Sequence, residues 1–159
     1  MKELYLPLKL LHILSSTVLF GTGLGTAFSM WRARRSNDPR VIAAVTRNVV
    51  LADWVFTTPA VIIQPVTGLA MIAILGYPLT ASWLVMTYVL FGIVGACWLS
   101  VVWLQLRMRD LATTASARDE PLPSDFQRCV DAWFLLGWPA FAAVIAIFAL
   151  MVWKPVLWE

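Results

Sequence analysis

Histidine occurs once and cysteine twice in these 159 residues, and only 13% of positions carry a charged side chain. Each scarcity excludes something. A lone imidazole rules out multi-histidine zinc sites, HExxH helices and bis-histidine haem ligation from a single chain. Cys97 and Cys129 fall in different apolar segments without CxxC spacing, so they read as small packing residues rather than a disulfide framework. There is no glycine-rich phosphate loop after a strand and no Ser/His/Asp set with a plausible acid. Charge is too sparse for a soluble globule: 60% of residues are apolar, against about half in soluble domains, and the mean hydropathy is +0.78.

What the chain does have is long apolar runs. Four segments, at about 5–30, 51–75, 83–106 and 130–153, reach or approach the roughly 20 residues needed to cross a hydrocarbon core. They predict an all-α, four-transmembrane-helix antiparallel bundle, with residues 1–159 as one domain. The connections near 32–50 and 107–129 read as polar loops. Lys2 precedes an apolar run too long for a signal peptide, so the first segment reads as a retained helix. The net charge of +3 is informative by its placement. Arg32, Arg34, Arg35, Arg40 and Arg47 lie between segments one and two, and Arg107, Arg109, Arg118 and Arg128 between three and four. The second connection, 76–81, is uncharged. By the positive-inside rule both basic connections are cytoplasmic and both termini face outward. The arginines are expected to set topology and to touch anionic lipid, with no role for nucleic acid. Trp31, Trp54, Trp83, Trp133, Trp153 and Trp158 fall near segment boundaries, as an aromatic belt does.

The only histidine, His12, sits inside the first segment, one turn after Lys9. An ionisable side chain at hydrocarbon depth usually faces a bundle interior, a cavity or a cofactor. One face of the first segment collects Lys9, His12, Ser15, Ser16, Leu19, Gly23, Thr26 and Met30. On the second segment Asp53 (expected, like Asp131, as a helix cap or paired with a nearby arginine), Thr57, Ala60, Gln64, Thr67 or Gly68, and Met71 share a face. Lys9, Ser16 and Gln64 are thereby candidates for a polar interior face, although Lys9 can equally snorkel outward. Counting from the outer interface puts His12 roughly 10 Å deep, in the same half as Met71, Met86 and Met151. An imidazole with a thioether suits haem iron or monovalent copper. The alternative for His12 is a hydrogen bond to Ser15, Ser16 or Gln64. On the opposite face, Gly21 and Gly25 have the small-xxx-small spacing that permits close helix contact or a homo-oligomer.

Three stretches taken together (Leu8–Ser16, Leu51–Ala60 with Gln64–Gly68, and Trp98–Asp110) resemble a bacterial family of predicted integral membrane proteins, domain of unknown function 2269. The resemblance spans nearly the whole chain and implies a multi-pass protein of the bacterial inner membrane without implying an activity. A fainter similarity, carried by Lys9 and His12 alone, is to the small membrane protoporphyrinogen oxidases and their copper-resistance relatives. That similarity implies haem b and, were the chain an enzyme, a membrane oxidoreductase. The expectation is therefore a haem-binding or redox-associated membrane protein with His12 as axial ligand. A non-enzymatic assembly subunit and a copper or small-solute conduit stand as alternatives.

Overall fold

In the computed structural model, which describes residues 2–158 (Lys2 by its backbone alone), every regular element is helical. Helix α1 runs Lys2–Arg34, α2 Pro39–Ala52, α3 Thr58–Leu75, α4 Ser82–Arg118 and α5 Ser124–Trp153. Between α2 and α3 the chain makes one wider, π-helical turn, Asp53–Thr57, so α2, this turn and α3 form one continuous span. The four helices long and apolar enough to cross a membrane are α1, the composite Pro39–Leu75, α4 and α5. The protein is an integral, four-helix membrane protein, and its exposed leucines, valines and isoleucines meet lipid rather than water.

The helices outrun the apolar segments at the arginine-bearing end, called here the basic end. The stretches read as polar loops are largely helical. Only 35–38 and 119–123 remain as connections there. A 37-residue helix such as α4 is about 55 Å long, well beyond the roughly 30 Å of hydrocarbon. Hydropathy marks the part of a helix that lies in lipid and is blind to its amphipathic continuation. The start of α2 has a good local signal. Asp38 caps it, its carboxylate accepting from the Arg40 amide at 2.8 Å, and Pro39 occupies the first turn.

Packing differs between the two ends. At the basic end α1, α2, α4 and α5 converge on one buried cluster of Met30, Ala33, Ile42, Ala43, Val49, Leu104, Met108, Ala112, Phe126, Cys129, Val130 and Trp133. Toward the opposite end the helices separate into pairs, α3 on α1 and α4 on α5. The short connection 76–81 thus joins helices that scarcely pack on each other. The second and third spans are antiparallel neighbours through α2 instead. The pairs meet at mid-membrane, where Phe20 of α1 lies 5.5 Å edge-on to Phe141 and 5.7 Å from Phe148 of α5. Gly23 makes room for that contact, since a Cβ there would come within 2.9 Å of the Phe141 ring tip.

Three sequence expectations take a definite form in this frame. Asp53 is not a helix cap, because α2 continues into the π turn rather than ending there. Trp133 lies in the basic-end core, and Trp83 is buried beneath Tyr77 and Lys154. Both are thus packed against protein. The arginines have more than lipid to bind, and Asp131 takes the arginine partner expected of it. Arg34 pairs with Asp131 at 3.1 Å, Arg40 with Asp119 at 2.8 Å and Arg107 with Asp125 at 3.6 Å. These pairs are solvent-exposed and worth about 0–1 kcal/mol each. Cys97 and Cys129 are both free thiols, Cys129 inside the core.

Candidate functional site

The seam between α1 and α3 is built from small and polar side chains, which lets the two backbones approach closely. Ser15, Ala60 and Thr67 are buried in it, and His12, Gln64 and Gly68 are half-buried. Its register is antiparallel and can be read from two contacts three residues apart on each helix. His12 Nδ1 lies 2.7 Å from Thr67 Oγ1, and Gln64 Nε2 donates to Ser15 Oγ at 2.5 Å. The same Gln64 amide donates to the His12 carbonyl oxygen at 2.7 Å, and the Ser15 hydroxyl also donates to that oxygen at 3.1 Å. One flank of the imidazole is set by Gly68, where a Cβ would stand 3.4 Å from Cε1.

Proton bookkeeping around Thr67 favours one histidine tautomer. The Thr67 hydroxyl has one hydrogen and sits 2.7 Å from the Ile63 carbonyl oxygen, one turn back on its own helix. The carbonyl can only accept, so this contact favours a hydroxyl that donates there while its lone pair accepts from Nδ1–H of His12. The proton of the neutral ring is then on Nδ1. Nε2 keeps its lone pair and has no hydrogen-bond partner among the described residues. A neutral imidazole held through one nitrogen with the other free is the arrangement found in metal-ligating histidines.

The residues singled out from sequence distribute unevenly around this cluster. Gln64 joins it directly. Ser16 turns back on its own helix, donating to the Ile13 carbonyl at 2.8 Å, and its place is taken by the buried Ser15. Lys9 is exposed, with its ammonium 5.9 Å from the ring centre of Tyr5, one turn nearer the helix start, as a snorkelling lysine would be. Met71 is one turn beyond Thr67 on α3, whereas Met86 and Met151 belong to the α4–α5 pair; all three are half-buried. Gly21 and Gly25 lie open, with no atom within 4 Å of a Cβ built at either.

Thr67, rather than Ser15, Ser16 or Gln64, is the partner of the imidazole ring. The signal was present in the three-residue spacing shared by His12/Ser15 and Gln64/Thr67, which pairs both couples once the helices are antiparallel. Among the described residues no group of three or more His, Cys, Asp or Glu side chains gathers into a metal cluster. Two open grooves, about 680 and 450 Å³, lie at the basic end and include no residue of the His12 cluster.

A family model described as "Predicted integral membrane protein (DUF2269)" matches residues 6–155. No curated protein and no solved structure matches the chain.

Proposed function

The chain belongs to the DUF2269 family of integral membrane proteins, and from that premise we propose that its outer half is a ligand site in which His12 Nε2 is the axial donor to haem b. The supporting observation is the Nδ1–Thr67 contact, which engages one ring nitrogen and leaves Nε2 without a hydrogen-bond partner among the described residues. Gln64 and Ser15 brace the backbone at the same position, so the donor is presented from a rigid element. Met71, one turn from Thr67 on the same helix, would be the thioether to join His12 in holding the group, with Met86 and Met151 as the alternatives. Haem in such a setting supplies one-electron chemistry, and the protein's part is to hold and orient the iron through His12. Copper(I) bound by the same imidazole and a thioether is the variant that metal analysis separates.

The proposed setting is the bacterial inner membrane, with the basic end cytoplasmic and both termini outside. The support is the arginine placement at 32–47 and 107–128 against the uncharged 76–81 connection.

The test is the visible spectrum of detergent-purified protein made with ample haem supply. A Soret band that disappears in His12→Ala and shifts in Met71→Leu is the expected outcome. A colourless, metal-free preparation defeats the proposal. The second reading is then a non-enzymatic assembly subunit in which the His12–Thr67 bond only clamps two helices. The open Gly21/Gly25 face favours it, and a dimer broken by Gly21→Leu would identify that face.

A further inference from the structure

A second ionisable group is buried within the membrane spans, and the His12 site makes no use of it. Asp53 is 8% exposed and lies 11 residues before Gln64 in the sequence, roughly 16 Å along the span. Its Oδ2 accepts from Trp98 Nε1 of α4 at 3.1 Å. That neutral donor orients the carboxylate without balancing its charge. No arginine, lysine or histidine pairs with Asp53 among the described residues. An isolated buried carboxylate is costly, and a paired or coordinated one is much less so.

Two further features converge on it. Thr57 follows Asp53 by one turn and is 7% exposed, and its hydroxyl oxygen is fully buried without a hydrogen-bond partner among the described residues. The backbone between them is the π turn Asp53–Thr57, with Pro59 immediately beyond. Proline brings no N–H, so a carbonyl one turn back loses its donor. Single π turns inside helices often mark functional sites. Buried in protein, such irregular backbone can coordinate ions inside a membrane.

We propose that Asp53 and Thr57, with a backbone carbonyl released by the π turn and Pro59, form a binding site for a small monovalent cation of the Na⁺ class. All the donors are hard oxygens, which disfavours soft transition metals, and one carboxylate balances one positive charge where calcium sites recruit several. Bound there, the cation neutralises the carboxylate, satisfies the Thr57 oxygen and ties the α2–α3 span to α4 through Trp98.

The experiment is thermal unfolding of the full-length protein in detergent at fixed pH, with NaCl exchanged for choline chloride at constant ionic strength. The melting midpoint should rise saturably with Na⁺. The rise should vanish in Asp53→Asn, which keeps the shape and the acceptor for Trp98. In Thr57→Val the half-saturating Na⁺ concentration should increase at least tenfold. If Asp53→Asn does not fold, the Thr57→Val titration carries the test alone. Equal midpoints in Na⁺ and choline, a sodium response that survives Asp53→Asn, or an unaltered half-saturation in Thr57→Val would overturn the site. His12→Ala should leave the sodium response intact, which keeps this inference separate from the haem proposal.

Discussion

Thr67 can donate one proton, and the Ile63 carbonyl is placed to take it. The consequence is measurable because the chain has a single imidazole. The ¹⁵N spectrum of histidine-labelled protein in its ligand-free state should show one neutral ring protonated at Nδ1. Thr67→Val should blur that preference toward a tautomer mixture while costing only about 0.6 kcal/mol of stability, the mean for interhelical polar contacts in membranes. A ring protonated at Nε2 in the wild type would mean that Thr67 donates to His12, and the free lone pair would be gone. Gly68 gives a graded version of the same test. A Cβ at 3.4 Å from Cε1 is tight but tolerable, so Gly68→Ala should shift the imidazole resonances slightly. Gly68→Leu should displace the ring and abolish any ligand bound through it.

Among the elements, α2 was the one hidden from a hydropathy reading, because its fourteen residues are mostly outside the apolar window. Its local signals were nonetheless complete: an aspartate cap, a proline in the first turn, and Ile42, Ala43, Thr46, Val49 and Val50 buried at helical spacing. Asp38→Ala should destabilise the protein by about 1 kcal/mol through the lost cap, read as a lower denaturation midpoint. The contact between α1 and α5 is a different matter, since it depends on a gap opposite an aromatic ring. Gly23→Leu should cost about 1–3 kcal/mol by overpacking against Phe141. Phe141→Ala in that background should recover part of the loss. An additive double mutant would show that the two sites do not touch.

For the molecule as a whole, the asymmetry between ends matters most. One end is a four-helix core closed by exposed ion pairs, and the other is two helix pairs meeting at mid-membrane. The basic-end core should be the slower to open. Hydrogen exchange in detergent should therefore be slower for amides around Ile42–Val50 and Leu104–Ala112 than for those around Ile62–Leu75. The proposed orientation rests on charge. Replacing Arg32, Arg34 and Arg35 by neutral residues should produce mixed insertion in a terminal-reporter assay, whereas a fixed orientation would show that the second basic connection suffices.

Apolar length established, from sequence alone, four membrane helices, because that property follows from what lipid permits any single helix to do. The small, polar faces of α1 and α3 were visible in the same way, down to His12, Gln64 and Gly68. Which partner each side chain takes was decided only by tertiary packing. Antiparallel register chose Thr67 for the imidazole, the π turn brought Asp53 to Trp98, and convergence at the basic end buried Trp133. Such choices depend on relative helix rotation and offset, which are collective properties of packed surfaces and leave no mark on any one segment.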